Sequence, residues 1–166
     1  MLFTEQEYKE RLKKVQKSMH EKGIELLISQ DTANMNYLTG YDAWSFYYAQ
    51  SVIVHANAEE PLCFVRAQDV GGAYIKTYLK NENIIPYDEK YIHTWPTHPY
   101  DYLIEIIKKN KWDTLNIGVE MDSHYFTAYC YEKLKQGLPN SKIIDSNRLV
   151  NWARLVKSEA EISLMK

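Results

Sequence analysis

Tyr8, Leu12, Val15 and Met19 recur at helical spacing while Lys9, Lys13, Lys14 and Lys17 fall mostly on other faces, so the chain opens on an amphipathic helix. Thr4-Glu5-Gln6-Glu7 in front of it reads as a capping box, the Thr4 hydroxyl accepting from the Glu7 amide and the Glu7 carboxylate reaching back. Gly23 stands where a left-handed residue would stop that helix. Residues 24–29 are a nearly continuous apolar run, the pattern of a strand covered on both faces. Residues 51–55 and 62–66 read as strands, and the polar segment between them predicts an antiparallel hairpin. A helix is expected over 69–80, weakened at its start by Gly71-Gly72, then a strand at 84–87. Residues 88–99, rich in aromatic, His and Pro residues, predict an irregular loop. Tyr100, Leu103, Ile104 and Ile107 mark a helix face, and 114–119 a strand. A helix over 123–136 would turn Phe126, Tyr129, Cys130 and Leu134 inward and end at Gly137. Ile143-Ile144 is a short strand, and Asp145 is placed to cap a helical turn over 148–154. About six strands alternating with helices after the hairpin predict an α/β fold: three layers, α/β/α, around a mixed sheet.

The last residues add a boundary. Ser158-Glu159-Ala160-Glu161 repeats the capping-box pattern, and Ile162, Leu164 and Met165 begin a helix of about two turns, too short to be stable alone. It reads either as a short helix docked on the domain or as the first turns of a further one. The expected division is a domain over 1–154 followed by a linker and first helical turns over 155–166.

Composition narrows the class. The 166 residues carry 20 Lys+Arg against 22 Asp+Glu, which speaks against a large basic surface for nucleic acid. No apolar run approaches the ~20 residues that span a bilayer, and the N-terminus becomes charged at once, so neither membrane nor secretory signal is expected and the location expected is cytoplasmic. Cys63 and Cys130 read as reduced core thiols. The 14 Tyr are the unusual feature, because a tyrosine joins an apolar ring to a polar tip and suits interfaces and wet pockets.

The densest aromatic stretch, Tyr41-Asp42-Ala43-Trp44-Ser45-Phe46-Tyr47-Tyr48, follows Gly40. Read as a strand, its alternating side chains could not all enter one core. Two readings stand open: rings packed under helices on both faces, or rings meeting a ligand or another chain, with Asp42, Ser45 and Gln50 as polar contacts. Arg66-Ala67-Gln68-Asp69 at a strand exit offers ligand-contacting groups, or a surface Arg beside a capping Asp69. Gly71-Gly72 lacks phosphate-loop spacing, and no G-x-S-x-G elbow is present. The five His are scattered at spacings that match no metal site. For Glu120-Met121-Asp122, helix capping by Asp122 or Ser123 is the simpler explanation. On its own residues the chain lacks the equipment of an enzyme, leaving a free-standing small-molecule or partner-binding module as one reading and an autonomous small hydrolase as another.

Asn34-Met35-Asn36-Tyr37-Leu38-Thr39-Gly40-Tyr41 after a buried strand resembles the N-x-x-Y-L-T-G-Y stretch of creatinase/prolidase N-terminal domains. The opening helix ending at Gly23-Ile24, the Ile117-Gly118-Val119-Glu120 strand end, and Arg154-Leu155-Val156-Lys157-Ser158-Glu159-Ala160-Glu161-Ile162 fall in the same order as in that family. The last resembles its R-x-x-K-S-x-x-E-[IL] junction. Gly40 to Tyr47 is closer to ectoine-hydrolase-like and creatinase-like members than to typical Xaa-Pro dipeptidases. The resemblance implies a ribonuclease-H-like N-terminal domain preceding a pita-bread catalytic domain, in a homodimer where it narrows the neighbouring subunit's active site. It implies no cofactor in this chain. In the larger protein it implies a dinuclear divalent metal, such as manganese, or a metal-free site as in creatinase. The substrate implied is a dipeptide or another small C–N compound. It also implies Trp44, Phe46 and Tyr48 as aromatic walls, with Arg66, Gln68 and Asp69 as polar contacts. In creatinase a Phe and an Arg reach that site; aligned from Gly40, they fall on Phe46 and Tyr48. The missing guanidinium argues against creatine as substrate.

Overall fold

The computed structural model describes residues 2–43, 45 and 47–166. Helix α1 (Glu5–Glu21) precedes strand β1 (Leu26–Ser29), α2 (Thr32–Thr39), the hairpin β2 (Ser51–His55) and β3 (Leu62–Arg66), then α3 (Val70–Lys76) and β4 (Ile84–Tyr87). Helix α4 (Pro99–Lys109), β5 (Asn116–Val119), α5 (Ala128–Gly137), β6 (Lys142–Asp145), α6 (Leu149–Leu155) and α7 (Glu159–Met165) complete it. The strands form one mixed sheet in the order β4-β3-β2-β1-β5-β6. β2 runs antiparallel to both β1 and β3, while β1/β5, β5/β6 and β3/β4 are parallel. The start of β2 and the ends of the other five strands therefore share one edge of the sheet.

Alternation along the strands sorts the core into two layers. Leu27, Val52, Val54, Cys63 and Val65 pack with α1, α2 and α6 through Leu12, Val15, Met19, Met35, Leu38 and Val150. Leu26, Ile28, Ile53, Phe64, Ile117 and Val119 face α4 and α5 through Leu103, Ile107, Cys130 and Leu134. The three-layer expectation holds, and both cysteines are buried free thiols.

Several local expectations are corrected. The segment 41–50 is no strand among the described residues. The Tyr41 amide donates to Thr39 Oγ1 at 3.1 Å, the Tyr48 amide to Ser45 Oγ at 3.3 Å, and Gln50 Nε2 to the Ala43 carbonyl at 3.0 Å. These local bonds satisfy backbone groups that a ladder would otherwise engage. Residues 32–39, to which periodicity assigned nothing, are helix α2, capped by Asp31 Oδ1 accepting from the amides of Ala33 and Asn34. The expected long helix over 69–80 is a single 3-10 turn at Ala67–Asp69 followed by α3, which ends at Lys76. α5 begins at Ala128 with Thr127 as its cap, because 123–127 form turns that bury Phe126 at a spacing imitating a helix. Gly137 lies inside that helix, and its reason is proximity: a Cβ there would stand 2.5 Å from Ile104 Cδ1. The Thr4 box is half formed, since Glu7 turns its carboxylate inward to Arg11 and Ser158. Asp145 Oδ1 accepts from the Asn147 amide without capping α6, which starts after Arg148 in the left-handed region.

Candidate functional site

Residues 47–49, the loop after β4 and the start of α5 enclose an aromatic recess of about 260 Å³. The Tyr47 and Tyr48 rings meet edge to face at 4.7 Å, and His93 Nε2 lies 2.9 Å from the Tyr47 carbonyl. Trp95 stacks on Tyr129 at 5.9 Å and His98 meets the same ring edge-on at 5.1 Å, yet Trp95 stays 81% exposed. Helix α4 starts here in a capping box: His98 Nδ1 accepts from the Tyr100 amide while Asp101 accepts from the His98 amide. Burial lowers the His98 pKa to about 4, so its ring is neutral near pH 7 and carries its proton on Nε2.

Of the residues singled out from sequence, the structure brings three together beside this recess. The Tyr48 hydroxyl donates to Asp69 Oδ2, and burial followed by that bond pushes the Tyr48 pKa up to about 12. The Arg66 guanidinium lies over the Tyr48 ring at 5.2 Å and grips Glu89 with Nε and Nη2. That pairing raises the Arg66 pKa and lowers that of Glu89. Gln68 is exposed, and Trp44 and Phe46 lie outside the described residues. This wall can stack planar groups and offer hydroxyl and imidazole hydrogen bonds. Among the described residues no three His, Cys, Asp or Glu side chains come together to hold a metal ion. The divalent metal implied for the larger protein therefore does not fit a donor set in these residues.

At the same sheet edge, sequence reasoning passed over a buried polar hub. Glu120, 5% exposed at the end of β5, accepts four bonds: Ser29 Oγ and Asn34 Nδ2 on Oε1 (both 2.7 Å), the Gln30 and Asp31 amides on Oε2 (2.7 and 2.8 Å). Burial raises its pKa and these donors oppose the rise. Its neighbours do not cap a helix together: Asp122 pairs with Arg148, and Ser123 Oγ accepts from the Tyr125 amide at 3.3 Å within a turn. Asn34 also donates to Asn151 Oδ1 at 3.0 Å and accepts from Arg154 Nη1 at 2.7 Å, which engages both its amide hydrogens and its oxygen. A second cluster adjoins: buried Arg11 pairs with Glu7 at 3.0 Å and Glu161 at 3.4 Å under the Tyr37 ring, and Ser158 Oγ donates to Glu7 at 2.7 Å.

The four motifs thus converge, and most of their letters acquire a reason. Thr39 Oγ1 bonds to the Met35 carbonyl and the Tyr41 amide, and Gly40 takes φ +86° where a Cβ would lie 2.9 Å from the Lys76 carbonyl. The Arg154, Ser158 and Glu161 side chains all reach back to the first 34 residues, fastening α7 to α1. A hint was present in a Glu at one strand end and an Asn in the first turn of α2, but the two are 86 positions apart.

Residues 11–156 match the Creatinase/Prolidase N-terminal domain family. The chain is 40% identical over 165 residues to the ectoine hydrolase of Halomonas elongata, covering 99% of this chain and 41% of that protein. It is 38% identical over 164 residues to the uncharacterized hydrolase/peptidase y4tM of Sinorhizobium fredii, covering 99% and 42%. It thus spans about two fifths of the length of these curated relatives. The dipeptidase PepE of Mycobacterium ulcerans superposes with a TM-score of 0.73 at 15% identity over 97% of this chain and 40% of that one. A proline dipeptidase of Streptococcus pneumoniae gives 0.70 at 19% over 88% and 98%. At such identities the likeness is one of fold.

Proposed function

The chain belongs to the creatinase/prolidase N-terminal domain family, and from that premise we propose that it is the non-catalytic N-terminal domain of a larger hydrolase acting on C–N bonds. In this reading it assembles a homodimer and lends its aromatic loop to the wall of the neighbouring subunit's reaction chamber. The observation that carries the reading is the exposed ring cluster at one sheet edge, held by the Tyr48–Asp69 and Arg66–Glu89 pairs. Rings left half or more exposed, as Tyr47 and Trp95 are, favour a covering partner. The bond-breaking groups and any divalent metal belong to the remainder of the protein, a pita-bread domain following residue 166. Trp44, Phe46 and Tyr48 would exclude water and orient substrate, with Arg66, Gln68 and Asp69 as polar contacts. The resemblance to an ectoine hydrolase and the prolidase fold leave a cyclic amidine and a proline dipeptide as the substrate classes to assay.

The test is steady-state kinetics of the uninterrupted protein carrying Phe46→Ala or Tyr48→Ala. A loss of kcat/KM of about tenfold or more, with thermal stability and metal content held, is expected. Unchanged kinetics in both variants would remove the gating role.

A further inference from the structure

Five of the eleven large apolar side chains exposed among the described residues lie within residues 152–165: Trp152, Leu155, Val156, Leu164 and Met165. Trp152 and Leu155, three apart, occupy the face of α6 turned away from Leu149, Val150 and Ala153, the residues it buries in the core shared with α1 and α2. Val156 follows where the linker starts, its carbonyl accepting from Lys14 Nζ at 2.9 Å. No residue of α7 is buried. Its hold on α1 is polar, through Ser158 Oγ donating to Glu7 at 2.7 Å and Glu161 paired with Arg11 at 3.4 Å. A helix of seven residues is too short to stand on its own propensity, and here polar anchors fix its first turn while Leu164 and Met165 are left bare.

Apolar side chains gathered on one part of a domain mark a surface that something covers. We propose that Trp152, Leu155, Val156, Leu164 and Met165 form one seat, covered by the domain that follows residue 166 in the same polypeptide, with α7 as the strut between the two. The inference rests on the reading that such a domain follows, and adds where it docks. The chain spans two fifths of the length of its curated relatives, so the larger part of each relative lies outside the match. The bare side chains sit beside Lys166, where a following domain is tethered. Five of them fall well short of the about 20–30 residues a side that hold two separate chains together. A tethered domain meets the seat at an effective concentration of about millimolar, for which a small apolar contact suffices. Arg11, by gripping Glu161, then sets the angle at which α7 leaves α1 and so where the following domain stands.

Hydroxyl-radical footprinting of the uninterrupted protein, read by mass spectrometry, tests the seat. At 62% and 72% exposure, uncovered Trp152 and Met165 oxidise within about twofold of their rates in the unfolded protein, whereas a docked domain slows both by about tenfold or more. A tethered contact keeps that protection through about a hundredfold dilution. Leu155→Asp is expected to free Trp152 and Met165 together, while Trp112, packed in the α4/α5 layer of the core, keeps its rate and reports that the domain is still folded. Rates near those of the unfolded protein overturn the proposal. Protection lost on dilution identifies a second copy as the occupant and overturns it too, as does Met165 staying protected once Leu155→Asp has freed Trp152. The outcomes separate from those of the gating role. Unchanged kinetics in Phe46→Ala and Tyr48→Ala remove that role and leave the seat, an exposed Trp152 in a protein that hydrolyses removes the seat alone, and a reading frame ending at Lys166 removes both.

Discussion

Replacing Glu120 by alanine removes an acceptor that serves four donors, from the end of β1, the two residues after it and the first turn of α2. Ser29 Oγ can rotate to another acceptor, but the Gln30 and Asp31 amides and Asn34 Nδ2 are held in place by the backbone and by Asn151. Each stranded buried donor costs about 1–3 kcal/mol. The adjoining polar recess of about 150 Å³, shared by Asp31, Glu120 and Asn151, lets water reclaim part of that loss. The net expectation is about 3–5 kcal/mol, a large share of the 5–15 kcal/mol that holds an ordinary domain. For a chain of 166 residues this is a fall in Tm of about 8–15 °C. Glu120→Gln keeps the shape and one acceptor oxygen but turns an amino group toward two donors, for about 2 kcal/mol. The assay is paired urea and thermal unfolding of parent, Gln and Ala variants, with Asn34→Ala added to close a double-mutant cycle. The expected order is parent, Gln, Ala, with Asn34→Ala costing less once Glu120 is gone. A Glu120→Ala variant within about 0.5 kcal/mol of the parent, or strict additivity with Asn34→Ala, would refute the hub.

Three further outcomes follow from other parts of the structure. Arg11→Met breaks the pairs to Glu7 and Glu161, both slightly solvated, and is expected to cost about 2–4 kcal/mol; hydrogen exchange should show residues 159–165 losing protection first. Gly40→Ala forces a side chain to φ +86° against the Lys76 carbonyl and should lower the urea midpoint by the equivalent of about 2 kcal/mol or more. His98 has a folded pKa of about 4 against an ordinary 6.5, so the unfolded chain binds the extra proton between those values and stability falls as pH drops through that window. Discounted for partial exposure, the loss is up to about 2 kcal/mol, and His98→Ser, which keeps a capping oxygen, should flatten the pH–Tm curve there.

Elements whose apolar residues share one face were legible in advance. Tyr8, Leu12, Val15 and Met19 of α1, and Tyr100, Leu103, Ile104 and Ile107 of α4, are buried as their spacing required. The β2/β3 hairpin was legible because its alternation and polar turn agree. α2 escaped because Asn34, Met35, Tyr37, Leu38 and Thr39 are all buried, so it presents no polar face to set a period. The start of α5 was misplaced because buried Phe126 continues the helix stripe from within a turn. Arg66 and Asp69 were found by residue type at a strand exit and Tyr48 through the family resemblance, and the fold does bring the three together. Glu120 could not be ranked above any other carboxylate, since its partners come from the end of β1, the residues after it and α2, and meet it only when β1 and β5 pair.

The most direct measurement is hydrolysis by a purified, contaminant-free preparation of these 166 residues alone, given proline dipeptides and an ectoine-type cyclic amidine with added manganese. A domain that shapes a chamber without the groups to break the bond gives no turnover above a metal-only blank, while the same residues joined to the rest of the protein hydrolyse one of these substrates. Turnover by the 166 residues alone would contradict it.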